Sequence, residues 1–258
     1  MLSSVRVVLI DLDGVLYVED ELVPGAHEAV SRLRSGGRVL RFVTNTTSRS
    51  RPATLEKLRR LGFSLDDDEL MTPAALAVRH CSEKGVRRVS LLMNDEVKGD
   101  FSILDEDDDE PEAVIVGDLG EDFGYSVLNL AFRHVMADAE LIALQRNRFW
   151  QRADGLSLDV GPFVAALEYA TSREAYVVGK PARAFFDEVL RDAGFETDAA
   201  AMVGDDIETD IGGAIGAGLA GVLVRTGKYR ADAVDASGIE PTATVDSIAD
   251  VPELLGSS

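Results

Sequence analysis

Two aspartates follow a run of apolar residues close to the start of the chain. In the stretch VVLIDLDGV, Asp11 and Asp13 come directly after the apolar residues 7–10, and Gly14 follows them. Residues two apart on an extended backbone point to the same side, and a glycine lets the chain turn at once. The two carboxylates could therefore act together in catalysis. Taken alone, such a sequence is also typical of a strand that ends in a turn.

A second acidic cluster follows a later apolar run. The stretch AAMVGDDIETD places Asp205 and Asp206 at the end of a predicted strand and Asp210 about one helical turn further on. Two like charges 4 Å apart repel by about 4 kcal/mol at an effective dielectric constant of 20, so clustered carboxylates favour a bound cation. Oxygen ligands from a few residues, completed by waters, suit Mg²⁺. The cluster therefore indicates a magnesium site.

Two further strand ends carry side chains suited to an anion. The stretch RFVTNTTS ends a predicted strand with Thr44, Asn45 and Thr46, whose hydroxyl and backbone N–H groups could bind an anion ahead of a helix. The alternative is that these residues only cap that helix. Lys180, one of five lysines, follows the strand in AYVVGKP and could direct its charge at a phosphate. Its alternative is an ordinary surface lysine.

One kind of fold would bring these four stretches together. Short apolar runs alternate with segments of helical length along the chain, which is typical of βαβ units and a parallel sheet. The run VVLI is too continuous for a strand with one face in water, so it predicts a central strand covered on both faces. In a doubly wound sheet the carboxyl ends of the strands face one crevice, where ligands bind. The sequence therefore predicts an α/β fold with a doubly wound parallel sheet.

The sequence also predicts two domains. We expect one boundary near Thr72 and Pro73 and a return of the chain to the first domain near residues 172–175, which gives a discontinuous core of residues 1–72 and 176–258 with an inserted α/β domain at residues 73–175. Helices are expected near residues 26–35 and 52–61 within the core.

An acidic run lies inside the expected insertion. The sequence DEDDDEPE at residues 105–112 contains seven acids in eight residues. It lacks the glycine and the ligand spacing of a calcium loop. We therefore interpret it as a solvated connector.

In chain order, the four stretches resemble the motifs of the haloacid dehalogenase superfamily: DLDGV, VTNTT, the lysine of VVGKP, and VGDDIETD. The resemblance covers nearly the whole chain, and the four motifs show no departure from the pattern. The chain resembles the NagD-like, p-nitrophenyl phosphatase-like branch, in which a large α/β cap lies between the second and third motifs. The segments ADGLSLDVGPF and VRTGKY resemble the phospholysine phosphohistidine inorganic pyrophosphate phosphatases of that branch. A Rossmann-type core with an inserted cap is what this resemblance implies.

The resemblance further implies a Mg²⁺-dependent phosphatase that acts on a small phosphorylated substrate. Asp11 would be the nucleophile that forms an aspartyl phosphate, and Asp13 would protonate the leaving group and then activate water. Mg²⁺ would be held by Asp11, the carbonyl of Asp13 and Asp205. Asp206 and Asp210 would not bind the metal themselves but would support the residues that do. Four polar residues would bind the phosphoryl oxygens: Thr44, Asn45, Thr46 and Lys180.

The inserted domain is expected to select the substrate by closing over the site and expelling water. In the stretch NRFWQRADG, Asn147, Arg148 and Trp150 could meet the leaving group, together with Gly155. The alternative for Trp150 is packing in a helix or a core. Relatives with this type of cap pair through it, so the resemblance also implies a homodimer through the cap.

The charge balance restricts the partners of the chain. It carries 46 acidic and 26 basic residues, a net charge of −20, which would repel nucleic acid. Such self-repulsion weakens when salt shortens the Debye length from about 10 Å at 0.1 M to about 3 Å at 1 M. The composition therefore favours a halophilic protein from a salt-rich cytosol. An ordinary acidic enzyme is the alternative.

Other features favour a cytoplasmic protein that does not bind a membrane. The longest uncharged apolar stretch, residues 211–224, is shorter than the roughly 20 residues that cross a bilayer. The start of the chain has no long apolar core, so we expect no secretory signal. The single cysteine, Cys81, excludes an internal disulfide and is expected to be a buried, unreactive thiol.

Other functions share some of these sequence features. The sequence GAGLAG at residues 216–221 fits G-x-G-x-x-G, but it closes a predicted helix, whereas a dinucleotide site would open one. A signalling receiver domain also combines strand-end acids with a hydroxyl and a lysine, but it is a single small domain. A phosphomutase on the same fold stays open. So does the substrate: pyrophosphate, phosphoamino acids, phosphoglycolate, sugar phosphates and nucleotides all fit.

Overall fold

The computed structural model describes residues 2–152 and 155–256 of the chain. These residues form two compact units. The first unit comprises the described residues of Met1–Thr44, Leu55–Met71 and Lys180–Ser258, and the second comprises those of Asn45–Thr54 and Thr72–Gly179. Residues 45–54 thus pack with the second unit, whereas the expected boundary leaves them in the first. The roles of the two units as core and cap stay predictions.

Strands occur in both units. In chain order they are β1 (Val7–Asp11), β2 (Tyr17–Val18), β3 (Glu21–Leu22), β4 (Val39–Val43), β5 (Leu70–Met71), β6 (Arg88–Leu92), β7 (Asp105–Glu106), β8 (Ala113–Val116), β9 (Glu140–Ala143), β10 (Phe149–Arg152), β11 (Gly155–Leu158), β12 (Tyr176–Val177), β13 (Ala200–Gly204), β14 (Ala220–Val224) and β15 (Ala243–Val245).

Helices separate most of these strands. They are α1 (Ala26–Ser35), α2 (Arg51–Arg60), α3 (Pro73–Lys84), α4 (Asp95–Lys98), α5 (Tyr125–Met136), α6 (Val160–Thr171), α7 (Arg183–Ala193), α8 (Gly213–Ala217), α9 (Ala231–Ser237) and α10 (Val251–Leu254). A π-helix spans Ile207–Gly212, directly before α8. Among the described residues, no helix is both long and apolar enough to span a bilayer.

The first unit is built on a six-stranded sheet in the order β15-β14-β13-β1-β4-β5. All neighbouring strands in it are parallel. The chain places β4 and β5 on one side of β1 and later places β13, β14 and β15 on its other side. The strand order therefore switches between β1 and β13. The four apolar residues of β1 are fully buried, as their continuous run predicts. The predicted α/β fold with a doubly wound parallel sheet is confirmed, and its ligand crevice lies at this switch.

The second unit has its own parallel sheet, in the order β12-β9-β8-β6-β7, and an antiparallel hairpin of β10 and β11. Buried residues of β8 and β9 pack against buried residues of α5 and α6, and together they form the hydrophobic core of this unit. Helix α3 begins at the predicted boundary because the Thr72 hydroxyl accepts a hydrogen bond from the Ala75 N–H at 3.2 Å and Pro73 occupies the first turn.

The acidic run of residues 105–112 is more ordered than a solvated connector. Its first two residues form the edge strand β7, and the Ser90 hydroxyl donates a hydrogen bond to Asp108 at 2.6 Å. The Glu112 carboxylate accepts hydrogen bonds from the backbone N–H groups of Arg87 and Arg88 at 2.9 and 3.0 Å. Acidic side chains here accept hydrogen bonds from the backbone at the start of β6 and from the Ser90 hydroxyl, a role that composition alone did not indicate.

Candidate active site

Three buried carboxylates meet at the carboxyl ends of β1 and β13 in the first unit. Asp11 is the last residue of β1, Asp205 follows β13, and Asp210 lies in the π-helix beyond it. Their candidate ligand oxygens all lie within 4.8 Å of one another. Among the described residues, this is the group of acidic, histidine or cysteine side chains that could hold a metal ion. The switch in strand order therefore brings together the two acidic stretches that the sequence analysis describes separately.

Lys180 lies between two of these carboxylates. Its ammonium group donates hydrogen bonds to Asp11 Oδ1 and to Asp210 Oδ1, both at 2.6 Å, and all three side chains are buried. Burial alone would lower the pKa of the Lys180 amine, but Asp11 and Asp210 raise it above its ordinary value. Lys180 is thus held as a cation. The alternative of a surface lysine is wrong.

The three carboxylates repel one another despite the neighbouring charge of Lys180. Burial, followed by the charges of Asp11 and Asp210, raises the pKa of Asp205 to about 8. Burial also raises the pKa of Asp210 to about 6, although the neighbouring Lys180 opposes this change. The pKa of Asp11 is likewise raised by burial, against the opposing charge of Lys180. A further cation at this cluster would relieve the repulsion.

Asp205 is held by backbone that closes around one of its oxygens. The Lys228 N–H donates a hydrogen bond to Asp205 Oδ2 at 2.6 Å. Gly14 and Gly227 have φ angles of +84° and +58°, and a Cβ atom on them would lie 1.8 and 2.0 Å from the same oxygen. Glycine is therefore needed at both positions. The other oxygen, Asp205 Oδ1, is buried and has no hydrogen-bond partner among the described residues.

Asp206 and Asp210 organise the short helix that follows β13. The Asp206 carboxylate accepts hydrogen bonds from the N–H groups of Glu208 and Thr209, each at 3.0 Å, and so caps the π-helix. Asp210 Oδ2 accepts a hydrogen bond from the Asp206 N–H at 3.2 Å. Asp206 therefore shapes the backbone, while Asp210 itself joins the buried carboxylates. The predicted supporting role of both toward a metal stays a prediction.

Asp13 and Thr44 also belong to the first unit. Asp13 is exposed, and the Tyr17 hydroxyl lies 3.4 Å from Asp13 Oδ2, in position to donate a hydrogen bond. Thr44 is buried directly after β4, and its N–H donates a hydrogen bond to the carbonyl of Met71 at 3.3 Å. The side chain of Asp13 lies outside the group of three carboxylates, which leaves it available for a different role.

Asn45 and Thr46 belong to the second unit. Thr46 Oγ1 lies 3.4 Å from Ser48 Oγ, and the segment continues into α2. Acids from the second unit cap the start of this helix: Glu96 accepts a hydrogen bond from the Ser50 N–H at 3.1 Å, and Asp100 accepts one from the Arg51 N–H at 2.8 Å. Carboxylates near a helix N-terminus are stabilising. An interaction of Asn45 or Thr46 with a phosphoryl group stays a prediction.

The residues expected to meet the leaving group lie around the hairpin of the second unit. The Arg148 guanidinium lies 5.7 Å from the centre of the Phe149 ring, and the Asn147 carbonyl accepts a hydrogen bond from the Gly161 N–H at 2.9 Å. Trp150 is an exposed residue of β10, so its alternative of packing in a helix or a core is wrong. Ala153 and Asp154 of the same stretch lie outside the described residues.

The sequence analysis quotes the loop after β14 only for its resemblance and gives it no role in the site. The backbone of Gly227 approaches Asp205 Oδ2 closely, the Lys228 N–H donates a hydrogen bond to the same oxygen, and the Thr226 hydroxyl donates to the carbonyl of Gly14. The signal was available, because Lys228 is one of five lysines and follows an apolar strand, as Lys180 does. Cys81, in contrast, is buried in α3 as expected, and burial raises the pKa of its thiol to about 11.

Comparison with known proteins identifies the family. A family model described as haloacid dehalogenase-like hydrolase matches residues 8–105, and a second, described as HAD-hydrolase-like, matches residues 177–251. The chain is 46% identical over 244 residues to haloacid dehalogenase-like hydrolase domain-containing protein 2 of Homo sapiens, which covers 95% of this chain and 93% of that protein. It is 39% identical over 260 residues to phospholysine phosphohistidine inorganic pyrophosphate phosphatase of Bos taurus, which covers 98% and 95%.

Solved structures agree with these matches. The p-nitrophenyl phosphatase from Archaeoglobus fulgidus superposes with a TM-score of 0.90 at 28% identity and covers 97% of this chain and 99% of that chain. NagD from E. coli K-12 superposes with a TM-score of 0.85 at 23% identity, covering 95% and 98%, and so shares the fold. The chain therefore belongs to the haloacid dehalogenase-like hydrolase family, and it is a phosphatase of that family.

Proposed function

We propose that this phosphatase hydrolyses a small phosphate ester, phosphoramidate or pyrophosphate through a phosphorylated Asp11, and that it requires Mg²⁺. The observation that carries the proposal is the buried Asp11 carboxylate, which accepts a hydrogen bond from Lys180 at 2.6 Å beside an oxygen of Asp205 that has no hydrogen-bond partner in the described part of the chain. A nucleophile must be ionised and oriented; Lys180 orients Asp11 through the hydrogen bond and opposes the rise in its pKa that burial causes.

The residues present fit a hard divalent cation. The donor set consists of carboxylate oxygens from Asp11, Asp205 and Asp210, within 4.8 Å of one another. Asp205 Oδ1 is buried without a partner among the described residues, and such a group is expensive to bury unless something binds it. Mg²⁺ at these oxygens would neutralise the repulsion between the carboxylates and an incoming phosphate.

In the first step, Asp11 attacks the phosphorus and forms a bond from its carboxylate oxygen, while the bond from phosphorus to the leaving group breaks. Asp13 donates a proton to the departing oxygen or nitrogen, so that the leaving group departs in its protonated form. The ammonium of Lys180 orients Asp11 and carries positive charge to the phosphoryl oxygens as charge redistributes.

In the second step, Asp13 is ionised and takes a proton from a water molecule. The water oxygen attacks the phosphorus, the bond to Asp11 breaks, and inorganic phosphate leaves. Asp11 is restored as a carboxylate, and Asp13 is restored as an acid. Because Asp13 is exposed and lies apart from the buried carboxylates, it can exchange protons with water between turnovers.

The proposal is tested with phosphate release from p-nitrophenyl phosphate and from pyrophosphate, with Mg²⁺ and with EDTA. The parent protein should lose activity in EDTA and regain it with excess Mg²⁺. Asp11→Asn should show no burst of leaving group in a single turnover. Asp246→Asn is the matched control, because Asp246 is an exposed partner of Arg225 and should leave activity unchanged.

Two results would contradict the proposal. One is normal turnover by Asp11→Asn, and the other is full activity of the EDTA-treated parent. Free phosphate as the product separates this reaction from a phosphomutase, which would return an isomerised ester, and ³¹P NMR distinguishes the two products.

We also propose that the second unit selects the substrate and forms a homodimer. Phe149, Leu156 and Leu158 share one face of the hairpin, since Phe149 pairs with Leu158, and they are 52%, 69% and 65% exposed. Exposed apolar surface of this kind supports a protein contact. Replacing both leucines with aspartate should shift the mass in light scattering from two chains to one. A substrate panel on Arg148→Ala tests selection, and an unchanged panel would reject a role for this residue.

A further inference from the structure

A short hairpin follows Asp13 and is tied back to it. Strands β2 and β3 pair antiparallel, with Tyr17 opposite Leu22. The Gly14 N–H donates a hydrogen bond to the carbonyl of Tyr17 at 2.7 Å, which ties the first strand of the hairpin to the residue after Asp13. Tyr17 is 2% exposed, and its hydroxyl lies 3.4 Å from Asp13 Oδ2. The phenol is therefore a buried, fixed group beside an exposed carboxylate.

A buried lysine from α2 holds this hairpin. Lys57 is 9% exposed, and its ammonium lies 4.0 Å from the centre of the Tyr17 ring. The same ammonium donates a hydrogen bond to the carbonyl of Glu19 at 2.6 Å and lies 3.7 Å from a carboxylate oxygen of Asp20. Glu19 has a φ of +55°, a conformation that side-chain-bearing residues rarely adopt. Lys57 thus fixes a strained turn and the ring before it.

The charge of Lys57 is more than a packing device. An apolar side chain would fill the same space without the loss of hydration that burying an ammonium entails. A cation over an aromatic face draws electron density from the ring, and this strengthens the phenol hydroxyl as a hydrogen-bond donor. The acceptor placed before that hydroxyl is the Asp13 carboxylate. The order of contacts therefore runs from Lys57 through Tyr17 to Asp13.

We propose that Tyr17 and Lys57 are positioning residues for proton transfer by Asp13, an inference that rests on the proposed function. The Tyr17 hydroxyl holds the Asp13 carboxyl group in one orientation, and Lys57 holds Tyr17. The step they serve is the transfer of the Asp13 proton to the leaving atom as its bond to phosphorus breaks. Hydrogen bonds of this kind are commonly long before the substrate binds and shorten in the complex.

The test compares two substrates that differ in their need for a proton. p-Nitrophenolate leaves readily as an anion, whereas the alkoxide of an alkyl phosphate needs protonation. Tyr17→Phe keeps the ring and removes the hydroxyl. Since general acid catalysis contributes about 10²–10⁴-fold, losing the orientation of the acid should lower kcat on the alkyl phosphate about tenfold. On p-nitrophenyl phosphate the loss should stay under about threefold, with KM nearly constant for both.

Lys57 supplies an independent variant. Lys57→Met keeps the length of the side chain and should reproduce the same selective loss, and Lys57→Arg should restore part of it. Tyr169→Phe, at a position that is 91% exposed, is the matched control and should behave as the parent on both substrates. Circular dichroism and the thermal midpoint establish that each variant is folded.

The possible outcomes separate this inference from the proposed function. Equal losses on the two substrates, or no loss, for a folded Tyr17→Phe would overturn the positioning role while leaving the phosphatase mechanism intact. If Tyr17→Phe is unfolded, the same comparison on Lys57→Met decides. A parent that releases phosphate from neither substrate, or an active Asp11→Asn, would remove the proposed function and this inference together.

Discussion

The link from Lys180 to Asp11 and Asp210 allows a quantitative test of the buried charges. Lys180→Met keeps a side chain of similar length and leaves two buried carboxylates without the cation that both contact at 2.6 Å. Removing one partner from a buried ion pair destabilises a protein by about 3–5 kcal/mol. At about 2–4 °C per kcal/mol for a chain of this size, the thermal midpoint should fall by about 6–20 °C.

The assay must report on the first unit. The only tryptophan, Trp150, lies in the second unit, so its fluorescence follows that unit alone, and far-UV circular dichroism on heating, which includes the first unit, is the appropriate probe. The matched control is Lys98→Met, which removes a lysine from an exposed pair with Glu106. Such a pair contributes about 0–1 kcal/mol. All samples contain EDTA, so that a bound metal does not mask the effect.

The double variant Lys180→Met/Asp210→Asn isolates the electrostatic cause. It removes one of the two uncompensated carboxylates and should recover at least about 1 kcal/mol, since coupled sites interact by about 0.5–3 kcal/mol. The deficit of the single variant should also depend on pH. Without Lys180 the folded-state pKa values of Asp11 and Asp210 rise further above the unfolded value, so the deficit grows from pH 5 to pH 8. A single variant as stable as Lys98→Met, or a double variant less stable than the single one, would refute this reasoning.

Three further predictions concern the site and the surface. Gly227→Ala places a Cβ 2.0 Å from Asp205 Oδ2 and should lower Mg²⁺-dependent turnover more than tenfold. The control is Gly238→Ala, at a position with a φ of +67° where a Cβ would have no atom within 4 Å. It should lose only about 1–2 kcal/mol of stability and keep its activity. The pKa of Asp205 is raised to about 8, so the folded protein without metal keeps a proton that the unfolded chain releases above pH 4. The urea midpoint of the metal-free protein should therefore decrease as the pH rises from 5 to 8. Millimolar Mg²⁺ should remove this pH dependence. With a net charge of −20, the midpoint should rise between 0.1 and 2 M KCl, and a constant midpoint would exclude adaptation to salt.

The fold was largely predictable because its signals are local. The continuous apolar run of β1 identifies a central strand, and the helix expected at residues 26–35 is observed as Ala26–Ser35. The helix expected at residues 52–61 is Arg51–Arg60, and it starts earlier because Glu96 and Asp100, distant in sequence, cap its first N–H groups. These caps also explain why residues 45–54 pack with the second unit. No pattern within residues 45–54 carries that information.

The site was predictable as a set of strand ends but not as a network of contacts. Lys180 does follow a strand, but that strand, β12, belongs to the sheet of the second unit and not, as expected, to the sheet of β1 and β13. The hydrogen bonds of Lys180 to Asp11 and Asp210 join residues 169 and 30 positions away. A sequence pattern indicates which residues reach the crevice, whereas their partners depend on the register of β1 against β13. For the same reason Asp210, expected only to support a metal, is found among the carboxylates that could hold one.

The orientation of Asp205 shows why glycine and backbone contacts matter as much as charge in this crevice. Its Oδ2 is enclosed by the backbone at Gly14 and Gly227 and accepts a hydrogen bond from the Lys228 N–H, while the Thr226 hydroxyl donates to the carbonyl of Gly14 and joins the two loops. With one oxygen so fixed, the carboxylate cannot rotate to give Oδ1 a protein partner. The two loops therefore reserve one buried oxygen for a ligand, and this explains why substitutions at the glycines should reduce metal binding before they unfold the sheet.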